Sequence, residues 1–328
     1  MKTPECLLAY AEELEQYYAR HYPPLAPLAK PCFLSTVQTT MEPLPGGETF
    51  VITGDIPAMW LRDSSAQVKN YLPFAAKDEQ VRSLLRGVIA TQVKDVLIDA
   101  YANAFNREAN GKGFQDKTER NPAVWERKYE VDSLCAPILL AQQYEDASGD
   151  TAIYTEAFHR MLRRIAEVFR LEQHHERSPY SFERENCPPS DTLPGGRGTP
   201  VGFTGMTWSG FRPSDDRCEY GYFIPANMMA VVAMNAAARM AEGQFADKAL
   251  AHWPQSWMKA SAVSALPNER ASAPFIATRR TDRGIVCLWT TPTRPVCFPR
   301  PTSATATGMT IFISAPGNLY FPRPIRIL

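Results

Sequence analysis

Hydrophobic positions recur at helical spacing over most of the first 248 residues. From Glu79 to Ala104, Val81, Leu84, Leu85, Val88, Val93, Val96 and Leu97 fall on one face, the signature of an amphipathic helix packed against a core. Thr151–Glu172 repeats the pattern with Ile153, Phe158, Met161, Leu162, Ile165, Val168 and Phe169. Tyr129–Ala147 and Tyr220–Ala241 read the same way, the second rich in small residues and methionine. The opening "MKTPECLLAYAEELEQYYARHY" carries acids inside its apolar run and predicts a further amphipathic helix, not a signal peptide. Only "TFVITGDI" from Thr49 reads as strand. The expectation is an all-α fold whose helices are joined by long polar and aromatic loops, and loops of that length inside a domain usually carry function.

The pattern breaks near Ala249. "HWPQSWMKASAVSALPNERASAPFIATRRTDRG" has no helical period, and "TTPTRPVCFPRPTSATATG" is dense in Pro and Thr. Composition alone fits a solvated, Pro-rich tail. Trp253, Trp257, Trp289 and "TIFISAPGNLYF" argue against that, because a solvated tail does not favour large apolar side chains. The chain therefore divides into a helical part, 1–248, and a tail, 249–328.

Composition narrows the function. The formal net charge of the 328 residues is zero, which gives no electrostatic reason to expect nucleic acid or an anionic membrane as partner. No apolar run approaches the length of a bilayer span. The seven cysteines are scattered, odd in number and without a CxxC pair. Reduced thiols, a cytoplasmic protein and no metal site are expected.

Three loops hold side chains that stability alone does not require. The first groups Asp55, Trp60, Arg62 and Asp63, although Asp63, Ser64 and Ser65 could simply cap a following helix. In the second, Trp125 precedes Glu126, Arg127, Lys128, Glu130 and Asp132, which a plain amphipathic helix start also explains. The third delivers Trp208, Phe211 and Arg212 to Ser214, Asp215 and Asp216, with the two carboxylates placed to gain from a helix dipole. Trp, Arg and Asp together suit a carbohydrate. Aromatic faces cover the C–H patches of a sugar, and Asp and Arg take paired hydroxyls by directed hydrogen bonds. Glycoside hydrolysis also needs two carboxyl groups. A P-loop and a GxSxG nucleophile are absent. His174 and His175 read as a solvated helix end.

"GDIPAMWLRDSSAQV", "VWERKYEVDSLCAPILLA", "TLPGGRGTPVGFTGMTWSGFRPSDD" and "YGYFIPANM" together resemble glycoside hydrolase family 125, the metal-independent exo-acting α-1,6-mannosidases, over roughly Pro24 to Asp247. The resemblance implies an (α/α)6 toroid with its active-site loops at one end of the inner helices. It also implies inverting hydrolysis of terminal α-1,6-linked mannose, without cofactor, on α-mannosides or N-glycan fragments. Carried onto this chain, the general acid falls on Asp215 or Asp216. Trp60, Arg62 and Asp63 line the terminal mannose subsite, Trp208 and Arg212 wall the same pocket, and Asp55 and Trp125 lie among the substrate-binding residues. The resemblance places the catalytic base on a glutamate near the C-terminus.

That glutamate has no counterpart in the tail as it reads here, and a shifted reading frame accounts for this. Taking the last base of each codon with the first two of the next, the codons from Trp289 can yield Asp-Asp-Ala-Asn. Those from Arg294 to Ala306 can yield Pro-Ser-Leu-Leu-Ser-Ala-Pro-Tyr-Leu-Gly-Tyr, and those from Asn318 can yield Phe-Ile-Leu-Ser. These strings resemble the C-terminal half of the same family. The expectation is a slip near Ala249–Trp253, a toroid incomplete at its C-terminus, and a chain lacking its base. Its alternative is a non-catalytic mannoside-binding or misfolded remnant.

Overall fold

The computed structural model describes residues 2–241 and the segments 278–280, 285–288 and 296–299. The chain divides into two units, Met1–Phe275 and Ile276–Leu328. Within the described part of the first unit the helices are α1 (Glu5–His21), α2 (Ala26–Ser35), α3 (Leu61–Val68), α4 (Glu79–Ile98), α5 (Val131–Ser148), α6 (Glu156–Glu172) and α7 (Ile224–Met240). The helical reading of the sequence is met, with starts that move. The helix predicted over Tyr220–Ala241 begins at Ile224 and not at Tyr220, because Pro225 takes the first turn, where a missing N–H costs nothing. The one predicted over Thr151–Glu172 begins at Glu156, where the Thr155 hydroxyl accepts from Phe158 N at 3.2 Å and caps it.

The core runs through α5, whose positions are buried almost all round, as expected of a helix enclosed by its neighbours. It packs against α7, α3 and α4, and α4 lies on α6 and on strand β2 (Thr49–Val51). Gly87 permits that last contact. A Cβ at this position would stand 2.2 Å from Thr49 Oγ1. In its absence the Thr91 hydroxyl donates to Thr49 O at 2.9 Å and accepts from Thr49 N at 3.2 Å.

Strand content exceeds the expectation. β1 (Met41–Pro43) pairs antiparallel with β2. A second small sheet joins β3 (Met59–Trp60), β4 (Ala104–Phe105) and β5 (Val124–Glu126), with Trp60 opposite Ala104 and Ala104 opposite Glu126. Strands of two or three residues carry no readable alternation, so the sequence does not announce them. In the second unit β6 (Thr278–Arg280), β7 (Ile285–Leu288) and β8 (Val296–Pro299) form an antiparallel sheet in the order β6-β7-β8. The frame shift expected near Ala249–Trp253 lies outside the described residues, as does most of the tail after it.

Candidate active site

The β3-β4-β5 sheet feeds two helix starts. β3 runs directly into α3, and β5 reaches α5 through Arg127–Glu130. Arg62 and Asp132, each the second residue of its helix, meet with Nε and Oδ2 3.0 Å apart. The pair is close but poorly aligned, since neither atom completes a hydrogen bond. Arg62 also pairs with Asp63 at 3.2 Å, and its Nη2 donates to Pro213 O at 2.8 Å, reaching across to a third segment.

That segment, 211–217, is a tight hairpin. Phe211 bridges Arg217, Asp215 N donates to Arg212 O at 2.9 Å, and Arg212 N donates to Asp216 O at 2.9 Å. A three-residue hairpin loop of this kind ends on a residue in the left-handed region, where glycine is usual. Asp215 occupies it at φ 66°. The expected placement of both carboxylates in a helix's first turn is therefore corrected. They sit in this hairpin, seven or more residues ahead of α7, and owe nothing to its dipole.

The two aspartates differ in environment. Asp216 pairs with Arg212 and accepts from the Ser214 hydroxyl. Burial raises its proton affinity, but these two hydrogen bonds outweigh burial and hold it below the ordinary 3.8. Asp215 is open to solvent on one side, yet protein crowds its carboxyl. That partial burial first, and the Glu126 charge second, raise it above 3.8 against the opposing pull of Lys128 and Arg62. Asp132, only 4% exposed, is pushed up to about 6, chiefly by burial, with Arg62 opposing. Burial and the Asp132 charge also raise Glu130, whose Oε2 accepts from the Ser133 hydroxyl at 2.7 Å. Burial alone would make Arg62 less basic, but Asp63, Glu130, Asp132 and Asp215 make it more so.

Beneath the hairpin lies a row of buried charges that the sequence offers only as a helix start. Lys128 Nζ donates to Asp215 O at 2.7 Å. Glu126 accepts from Arg184 Nη2 at 2.9 Å and from Asn103 Nδ2 at 2.8 Å. Arg184 in turn grips Asp116 through two hydrogen bonds of 2.6 and 2.7 Å. The signal for these residues is the run of charges Glu126, Lys128, Glu130 and Asp132 in an otherwise apolar stretch. With Val131 and Leu134 buried beside them, one face of α5 cannot solvate them all.

Other expected site residues stand elsewhere. Trp60 is half-buried on β3, its amide donating to the Thr53 hydroxyl at 3.1 Å. Asp55 is exposed on the 54–58 bend and takes no part in the Arg62 pairs. Trp125 lines a cleft of about 220 Å³ with Phe114, Val124 and Arg127. Trp208 is 1% exposed, a core residue. It stacks on His175 at 3.6 Å and on Tyr129 at 6.2 Å, while Gly221, at φ 74°, leaves room for its indole where a Cβ would stand 2.5 Å from Nε1. The solvated reading of His175 is likewise corrected: the ring is buried, Nδ1 lies 2.6 Å from Glu172 Oε2 and Nε2 lies 3.0 Å from Arg197 O. Capping by Ser64 and Ser65 is corrected too. Their hydroxyls donate back to Leu61 O within α3 and accept from Gln92 Nε2 of α4.

The arrangement is two helix starts and one hairpin converging on an arginine, with one carboxyl of raised proton affinity at the surface. It can hold vicinal hydroxyls and donate a proton to a leaving oxygen. Among the described residues no three His, Cys, Asp or Glu side chains are grouped to hold a metal ion, and no helix is long and apolar enough to cross a membrane.

Two known proteins are similar to this chain. A metal-independent α-mannosidase of Streptococcus pneumoniae, solved as a non-productive complex with α-1,6-mannobiose, is 38% identical with a TM-score of 0.76. The match covers 86% of this chain and 65% of that one. The meiotically up-regulated gene 157 protein of Schizosaccharomyces pombe is 36% identical, over 64% of this chain and 46% of that protein. The chain thus spans less than two thirds of the length of either. The fold is the helical (α/α)6 type of that mannosidase. A family profile, that of the metal-independent α-mannosidases, matches residues 23–267, and the chain belongs to that family, glycoside hydrolase family 125.

Proposed function

We propose that the chain binds the terminal mannose of an α-1,6-mannoside between Arg62, Asp63 and the 211–217 hairpin, and that Asp215 is the general acid of an inverting, exo-acting hydrolysis. The observation that carries this reading is the occupation of a glycine-type turn position by Asp215. A side chain held in the left-handed region costs of order 1 kcal/mol, and such strain collects at functional sites. Its raised proton affinity suits an acid that must stay protonated until it meets the leaving oxygen. Asp216, held ionised by Arg212, suits the role less well and serves to fix the hairpin.

Hydrolysis of α-1,6-mannobiose by a chain with its reading frame restored, followed by proton NMR with chelator present, tests the reading. Release of β-mannose as the first product is expected. D215N should lower turnover by about 10²–10⁴-fold, whereas D216N should act mainly on stability. Equal turnover by D215N and the unsubstituted chain would remove Asp215 from the role. The second reading, a mannoside-binding remnant, rests on the expected absence of the base glutamate from the tail. It predicts mannobiose binding in a calorimetric titration, abolished by R62A, with no mannose released.

A further inference from the structure

We infer that Lys128 is a positioning residue for Asp215, holding the acid's backbone in the left-handed turn. This rests on the reading of Asp215 as general acid.

A buried ammonium is costly unless compensated, and the Lys128 side chain is only 3% exposed. Its compensation is unusual. The two nearest carboxylates, Asp191 at 3.8 Å and Glu126 at 3.9 Å, are too distant for strong hydrogen bonds, and the Phe211 ring lies 5.2 Å away. The close bond is the one to Asp215 O, at 2.7 Å. A buried cation has thus been spent on the carbonyl of the one non-glycine residue that holds this hairpin in the left-handed region. Arg62 does the same at the other end of the loop, through Pro213 O. Together the two cations clamp carbonyls on either side of Ser214, and the turn cannot flip its Asp215 peptide without breaking a charge-assisted bond.

Glu126 does not depend on Lys128 for its own partners, since Arg184 and Asn103 hold both its oxygens. A methionine at position 128 therefore leaves Glu126 compensated and fills a similar volume, so K128M is expected to fold. K128Q keeps a donor within reach of Asp215 O but removes the charge. The two variants separate the bond from the field.

The test is NMR of the full chain with ¹³C-carboxyl-labelled aspartate and ¹⁵N-labelled backbone, D215N giving the assignment. In K128M the Asp215 carboxyl should titrate at higher pH than in the unsubstituted chain, and the Asp215 amide resonance should move. In K128Q the titration should shift while the amide stays. Affinity for α-1,6-mannobiose should change less than about threefold in both variants, because Arg62 and Asp63 are untouched. Where turnover is measurable, kcat should fall about 10-fold or more in K128M with KM nearly constant.

Unchanged Asp215 carboxyl and amide signals in K128M would overturn the inference. So would an equal shift of Asp132, which would mark a general loosening. If K128M does not fold, K128Q alone decides, an unshifted titration overturning the inference. Full turnover by D215N would instead remove the assignment of the acid, whatever Lys128 does. Loss of turnover by D215N with K128M silent in both signals would remove Lys128 alone.

Discussion

Asp132 shows how one side chain carries a pH dependence into the whole fold. Burial lifts it from the ordinary 3.8 to about 6 despite an arginine 3.0 Å away. In the interval between those values the folded chain binds more protons than the unfolded one, so stability falls as pH rises. The contribution is of the order of 2–3 kcal/mol for an isolated group. D132N is expected to flatten the decline in stability between about pH 4 and pH 6, read as urea midpoints across that range. A slope as steep in D132N as in the unsubstituted chain would assign the effect elsewhere. R62M should act in the opposite sense, costing of order 3 kcal/mol at pH 7 by leaving a buried carboxylate unpaired. At this scale the sequence is legible in part. The motif containing Asp215 and Asp216 is evident, but choosing between them needs a backbone dihedral that no side-chain pattern encodes. Lys128, Glu130 and Asp132 read as an ordinary helix start because exposure cannot be told from charge alone. Trp208 reads as a sugar platform because a buried indole and a ligand-facing one are written with the same letter.

Elements are the most legible level, for a physical reason. α4 and α6 show one apolar face over several turns, and a period repeated that often survives the noise of individual residues. The strands β3, β4 and β5 repeat too few times to show one, yet they bring α3 and α5 together at the site. Gly87 marks where an element's own preference and its packing disagree. Propensity alone predicts that G87A stabilises α4 by up to about 1 kcal/mol. The 2.2 Å approach to Thr49 predicts the reverse, because β2 must move off the helix. Overpacking of this kind costs about 1–3 kcal/mol, so a net loss is expected in chemical denaturation of G87A. A gain would show that the β2 contact yields freely.

For the whole molecule the question is how the helical unit relates to the rest of a family member. The family profile ends at residue 267, and the structural relative extends well beyond what this chain matches. We expect the nucleotide sequence around codons 245–255 to contain an insertion or deletion. A restored frame should supply the family's C-terminal half, with mannobiose turnover rising from background to a level lost again in D215N. An intact frame at those codons would remove the explanation and leave the tail as a genuine divergence. The tail is the least legible part because its letters follow neither helical nor strand periodicity for more than a few residues, and the shifted frame proposed for it is a reading of codons, not of side chains.

The stack of His175 on Trp208 has a use beyond packing. An imidazole stacked 3.6 Å from an indole face makes the emission of Trp208 sensitive to the packing around it. The same indole abuts Gly221 and stacks on Tyr129, whose carbonyl receives the amides of Gly210 and Phe211 at the root of the hairpin. Loosening of that root would part the rings and change the emission of the tryptophan. The fold thus carries an optical gauge of whether the 211–217 hairpin is held in place, readable without a substrate.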